Sequence, residues 1–294
     1  MTAAAASDVS IPIASSPGYW GGVIRRLRRD PVAMTCAFIL LVIILAAIFA
    51  PYIAPADPYK ASMLRRLRPI GTPGFPLGAD ELGRDMLSRL IYGARLSLFM
   101  GLAPMFLAFL IGTTLGVTAG FIGGRLNMAI MRTIDIFYAF PSVLLAIAIS
   151  GALGAGLTNS LVALTVVFVP PVTRVAESVT TQIRNLDFVE AARASGAGSF
   201  AIMRVHVLGN VLGPIFVYST SLVSLAMILG SGLSFLGLGV KPPEPEWGLM
   251  LNTLRTAIYV NPMVAAMPGA CIFVVSICFN LLSDGLRSAM DVKL

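Results

Sequence analysis

Charge is scarce in this sequence. Asp, Glu, Lys and Arg make up 12% of its 294 residues and apolar types 57%, whereas soluble domains carry about 25% charged residues. A chain so poor in charge cannot clothe a water-soluble surface, so it reads as an all-α integral membrane protein. Histidine occurs once, at His206, and cysteine three times, at Cys36, Cys271 and Cys278, each inside an apolar run. That inventory offers no disulfide framework and no metal-ligand spacing, and the cysteines read as small buried hydrophobes. Lysine stands only at Lys60, Lys241 and Lys293, which excludes a Gly-x-x-x-x-Gly-Lys phosphate loop. If ATP drives this protein, another chain binds it. No nucleophile with a matching base stands out, which argues against an enzyme. The formal charge of +7 follows from basic residues flanking membrane segments rather than from nucleic-acid binding.

What is abundant is long apolar sequence between widely spaced charges. The gaps run from Asp30 to Asp57, Arg95 to Arg125, Asp135 to Arg174, His206 to Lys241 and Arg255 to Asp284. A membrane-crossing helix needs about 20 apolar residues, so these gaps predict six spans, near 32–52, 96–121, 128–150, 159–181, 208–236 and 263–284. Ahead of them, residues 1–18 are Ala-, Ser- and Pro-rich and read as a disordered tail. Tyr19 and Trp20, followed by Arg25, Arg26, Arg28 and Arg29, look like an interfacial anchor. A cleaved signal peptide is the alternative, but the apolar run from Pro31 to Ala56 exceeds the about 7 to 15 residues of such a segment. The chain thus divides into a tail with its basic anchor, 1–30, and one six-span domain, 31–294, without internal repeats.

Inside the spans, Gly112, Gly116 and Gly120 recur every four residues, a spacing that lets helices approach closely in lipid. Gly123-Gly124-Arg125 reads as a tight turn, Pro141 as a kink in the third span, and Pro170-Pro171 as a break in the fourth. Asp135 lies about two turns into the third span, where charge is expensive. Pairing with Arg132 three residues earlier is the plain account, and a role at a cytoplasmic gate is the other.

Two polar stretches lie between spans on the expected outer side. In the loop at 54–95, Leu82, Met86 and Leu90 share a helical face, while Asp80 with Arg84 and Asp85 with Arg89 are spaced as i,i+4 pairs. An amphipathic collar at the membrane interface is expected. In the second stretch, Glu244, Glu246 and Trp247 follow Pro242-Pro243 and are a candidate contact for an external binding protein; the two glutamates could also meet a cationic group of the cargo or simply be solvated loop charges, and Trp247 suits the membrane interface.

The most informative stretch is Asp187 to Asn210, inside a polar segment at 182–207. Asp187 with Glu190 suggests a helix capped by the aspartate. Ala191, Ala192, Ala194 and Ser195 give that helix a face of small side chains, Gly196 suits its left-handed end, and Ser199 can open a second helix. Glu190-Ala191-Ala192, three residues, Gly196, then His206-Val207-Leu208 resembles the EAA loop of ABC-importer permeases. That family usually has Pro where Gly209 stands, which leaves open how the second helix ends. Leu77 to Leu98, Met131 to Pro141, Ser234 to Met250 and Phe279 to Asp291 are similar, in the same order, to blocks of the dipeptide, oligopeptide and nickel branch.

The resemblance implies a six-transmembrane-helix type I ABC importer permease fold with cytoplasmic N- and C-termini, in a bacterial inner membrane. It implies a coupling helix at Glu190, Ala191, Ala192, Ala194 and Gly196 that docks into an ATPase. The implied partners are a sister permease, two ATPase subunits holding ATP and Mg, and an external solute-binding protein. It also sets the orientation, since basic residues alone divide weakly, 12 of 21 on the cytoplasmic side. The expected cargo is a di- or oligopeptide, with nickel, glutathione or another small solute as alternatives. A secondary transporter or a membrane scaffold is the reading from other classes; the first would want more intramembrane charge than Asp135, the second no coupling loop.

Overall fold

The computed structural model describes residues 19–290. The tail expected to be disordered, and Asp291 and Lys293, lie outside them. The described residues form twelve α-helices in order: α1 Tyr19–Leu27, α2 Pro31–Ile48, α3 Ala50–Ile53, α4 Met86–Ile122, α5 Gly124–Tyr138, α6 Ser142–Leu153, α7 Leu157–Ile183, α8 Asp187–Ala194, α9 Ser199–Ile202, α10 Leu208–Phe235, α11 Trp247–Thr253 and α12 Pro262–Met290. Five helical stretches are long and apolar enough to cross a membrane: α2, α4, α7, the run Ser199–Phe235 that joins α9 to α10, and α12. The bent pair α5 and α6 makes a sixth if it crosses as one unit.

Local chemistry explains where these helices begin. Asp30 caps α2 by accepting from the backbone N–H of Val32 and Ala33 at 2.9 and 3.1 Å, with Pro31 in the first helical position. α4 runs 37 residues because Asp85 caps it ahead of the membrane segment, its Oδ2 accepting from the Ser88 N–H at 2.7 Å. The expected separate collar is therefore the first turns of the second span itself, continuous with it. Residues ahead of Asp85 are not helical; they turn back on themselves through an Ala79–Asp85 bridge.

The bundle is built on α4 against α7. A Cβ on Gly112 would lie 2.8 Å from Val172 Cβ, one on Gly116 would strike the Thr173 carbonyl oxygen, and one on Gly120 would lie 2.7 Å from the Glu177 oxygen. The glycine repeat thus faces one neighbour along about two turns, and backbone-to-backbone approach replaces side-chain packing there.

Two proline expectations part company. Pro141 does more than kink the third span: α5 and α6 meet at 88° across a break of a few residues. Pro170 and Pro171 do not break the fourth, and α7 runs through them. Pro170 is buried between neighbouring helices, and such packing holds a helix together despite a missing N–H. Tyr138, Ala139 and Phe140 are exposed, so nothing resists the bend at Pro141.

Candidate functional site

α8 has two faces. Val189 is fully buried, Ala192 packs against the core, and the Arg193 guanidinium lies 5.7 Å over the Phe121 ring. The opposite stripe, Asp187, Glu190, Ala191 and Ala194, is exposed and follows the helical repeat. The start differs from expectation. Leu186, extended at φ −84° and ψ 149°, occupies the cap position, so Asp187 is the first helical residue and no side chain caps α8. Both acids still lie in the first turn, where negative charge suits the helix dipole. The end is as expected. Gly196 has φ +82°, its N–H bonds to the Arg193 oxygen at 3.0 Å, and the Ala197 N–H bonds to the Ala192 oxygen at 3.1 Å. This double closure is a Schellman turn, and no atom lies within 4 Å of the point where a Gly196 side chain would begin.

The knuckle is tied to the spans on both sides. Arg184, just past α7, donates to the Gly120 oxygen at 2.8 Å. On the other side α9 starts at Ser199 and passes through a π-helical turn, Met203–Val207, into α10. Gly209 does not end the second helix; with no proline there the chain stays helical into the span. His206 belongs to this turn, its ring 6.5 Å from that of Phe188.

The bend between α5 and α6 assembles a second cluster. Asp135 is ion-paired with Arg174 of α7 and not with Arg132, which is exposed. Arg174 lies 4.7 Å over the Tyr138 ring, and that stacking holds the guanidinium beside Asp135, an advantage Arg132 lacks. Glu177, three residues past Arg174 on α7, accepts from Asn127 Nδ2 at 2.7 Å. Tyr138 also lines a cavity of about 280 Å³ walled by Phe137, Phe140, Pro171 and Tyr218. Neither Arg174 as a partner nor Tyr218 was singled out from sequence, although a lone arginine three residues past Pro-Pro in an apolar span was a usable signal.

At the far end of the bundle, Glu246 and Trp247 are not available to another protein within this fold. Glu246 is 0% exposed and caps α11, accepting from the Gly248 and Leu249 N–H groups at 2.8 Å each and from Ser97 Oγ at 3.1 Å. Burial pushes its carboxyl above the usual range, against the pull of those hydrogen bonds. The Trp247 Nε1–H donates to the Leu90 oxygen at 3.0 Å. Only Glu244 remains partly open, and it accepts from the Tyr59 hydroxyl at 2.9 Å. The Tyr59 hydroxyl is in turn raised by burial and by that carboxylate.

The expected i,i+4 pairs beside α4 are half realised. Asp80 holds Arg84 at 2.6 Å, but Arg89 reaches Asp80 as well, at 3.2 Å, while Asp85 serves as the cap of α4.

Comparison with known proteins agrees with this architecture. A family model described as binding-protein-dependent transport system inner membrane component matches residues 112–293, and one for the N-terminal TM domain of oligopeptide transport permease C matches residues 18–69. A di/tripeptide transport system permease protein of Pseudomonas aeruginosa is 44% identical over 260 residues, 87% of this chain and 86% of its own. A glutathione transport system permease protein of Pectobacterium atrosepticum is 38% identical over 275 residues, 94% of this chain and 91% of its own. Among solved structures, an inward-facing methionine ABC transporter, MetNI, superposes with a TM-score of 0.58 at 21% identity, over 69% of this chain and 97% of that one.

Proposed function

The chain belongs to the family of binding-protein-dependent transport system inner membrane components, and from that premise we propose that it is one half of an ATP-driven importer of di- or oligopeptides. It is a membrane permease subunit of an ABC transporter and not itself an enzyme. The proposed complex adds a sister permease, two ATPase chains carrying ATP and Mg, and an external binding protein. The peptide reading is supported by relatives named for di/tripeptide and for glutathione transport, glutathione being itself a tripeptide. Glutathione or nickel remains the second reading of the cargo.

In this scheme the chain crosses the membrane six times, α5 and α6 forming one span, with both termini and α8 in the cytoplasm. Residues 31–294 make the permease domain and 1–30 a basic anchor. The Asp135–Arg174 contact belongs to a gate beside the bent span, with Arg132 near it, and Glu244 is what remains of the proposed binding-protein contact.

The observation that carries the proposal is the two-faced α8. Its inner stripe fixes it to the spans through Val189, and its outer stripe presents Glu190, Ala191 and Ala194 beside a glycine corner with open space. A helix so mounted can pass an ATPase's preference for one arrangement to the bundle, which is all that coupling requires. The test is stimulated ATPase activity of the whole complex with Ala191→Leu. This change leaves the chain's own packing alone, whereas Gly196→Leu also strains a left-handed backbone. We expect unchanged thermal stability and lost stimulation by loaded binding protein; a normally stimulated Ala191→Leu complex sinks the docking assignment.

A further inference from the structure

Tyr218 of α10 walls two cavities at once. One is the apolar, aromatic cavity of about 280 Å³ beside the α5–α6 bend. The other, about 520 Å³, lies among α7, α10 and α12, nearer their α8 ends. The α10 residues facing this line keep to a helical stripe: Pro214, Tyr218, Ser221, Leu222 and Leu225. The two spaces are therefore consecutive along one face of α10, with a phenol ring between them.

Their chemistry differs. The larger cavity is walled by Asp284 and Arg287, one turn apart on α12 and both exposed, and among the described residues neither forms a salt bridge. Nearby hydroxyls are already occupied: Ser283 Oγ donates to the Val217 oxygen at 3.0 Å and Ser221 Oγ to the Tyr218 oxygen at 2.7 Å. Asp284 closes the expected sixth span and Arg287 lies one turn beyond it, and both line the cavity. Residues one turn apart have Cβ atoms about 5–6 Å from each other, so the wall offers a carboxylate and a guanidinium side by side. The complement is a zwitterion, its ammonium on the carboxylate and its anionic oxygens on the guanidinium fork. The volume lies within the about 300–1,000 Å³ typical of small-molecule sites.

We infer that this cavity is a cargo station in which Asp284 holds the free amino terminus of a short peptide and Arg287 its carboxylate, with the Tyr218 ring as the partition to the apolar cavity beyond. The inference rests on the peptide reading of the cargo. A zwitterionic lipid headgroup presents the same chemistry, so the experiment has to separate the two sources.

The probes are radiolabelled dialanine, N-acetyl-dialanine and dialanine amide, bound to the whole complex in nanodiscs without binding protein. We expect Asp284→Asn and Arg287→Gln each to weaken dialanine binding about tenfold or more. Asp284→Asn should leave the N-acetyl form unchanged, and Arg287→Gln should leave the amide unchanged. Variants that shift all three probes equally, or none, overturn the assignment. So does dialanine affinity that falls as zwitterionic phosphatidylethanolamine replaces anionic phosphatidylglycerol in the disc, which would give the cavity to a headgroup. Uptake of labelled peptide by the wild-type complex with its binding protein is the control. Uptake without dialanine binding removes the station and leaves the peptide reading standing; no peptide uptake removes both.

Discussion

Asp135 and Arg174 are ion-paired between α5 and α7, with side chains 45% and 50% exposed. An exposed ion pair contributes about 0–1 kcal/mol to stability, so the proposed gate role predicts an effect on movement more than on folding. Asp135→Asn and Arg174→Gln should therefore barely move the Tm. Each should raise ATPase activity in the absence of binding protein by about fivefold or more, the low end of an ordinary coupling energy. The reversed pair, Asp135→Arg with Arg174→Asp, should recover part of the coupling, since the charge contact returns but the stacking on Tyr138 does not. Normal basal activity in both single variants would remove the contact from the gate.

Two glycines separate packing from backbone strain. At Gly116 a methyl group would sit 2.5 Å from Ala176 Cβ and 2.8 Å from the Glu177 nitrogen, so Gly116→Ala must push α4 off α7, at a cost of about 1–3 kcal/mol. At Gly196 there is open space and φ is +82°, so Gly196→Ala costs about 1–2 kcal/mol from the backbone alone. Gly196→Asn should cost less, because Asn tolerates that conformation, while Gly116→Asn should be worse than alanine. Thermal inactivation in detergent ranks all four; a Gly116→Ala protein as stable as wild type would contradict the close α4–α7 approach.

Asp80 is 1% exposed and serves two buried guanidiniums, Arg84 and Arg89, while also accepting from the Leu82 and Arg84 N–H groups at 2.9 Å each. Asp80→Ala leaves Arg89 with only the Pro58 and Pro243 carbonyls and Arg84 with only Glu81, and removing one partner from a buried pair costs about 3–5 kcal/mol. Asp80→Asn keeps the backbone hydrogen bonds and should lose less. Protease sensitivity of the loop ahead of Asp85, measured beside the Tm, will show whether the damage is local; an unchanged loop in Asp80→Ala would mean that water or another partner takes over.

Most of the fold was legible because long apolar runs between sparse charges can only be membrane helices, and because the Gly112, Gly116, Gly120 repeat and the left-handed Gly196 follow from local sterics. What was not legible depends on neighbours. Pro141 and Pro170 are the same residue with the same missing N–H; one ends a helix and the other does not, and only the packing around each decides. Asp135 found Arg174, 39 residues away, instead of the adjacent Arg132, because Tyr138 supplies a platform that sequence spacing does not display. Glu246 looked like a solvated loop charge because a cap and a loop residue have the same composition, and the helix it caps is only seven residues long. At α8, the outward stripe followed from periodicity, but the cap moved back one residue to Leu186, a boundary that propensity rarely fixes.

Glu246 gives the protein a pH dependence whose sign can be worked out. Its carboxyl is raised above the unfolded value of 4.5, burial being the largest cause. The folded state then binds the proton more tightly than the unfolded chain, so this group's contribution is full below about 4.5 and is lost as pH rises through the folded value. Glu246→Gln keeps the shape and cannot titrate. The difference in Tm, wild type minus variant, should therefore be larger near about pH 5 than near about pH 7.5, with every other carboxylate cancelling between the two proteins. The opposite slope would mean that the Gly248, Leu249 and Ser97 hydrogen bonds outweigh burial and keep the carboxylate ionised. In that case the cap of α11 is a buried anion, and its removal should loosen the contact between α11 and α4 most at neutral pH.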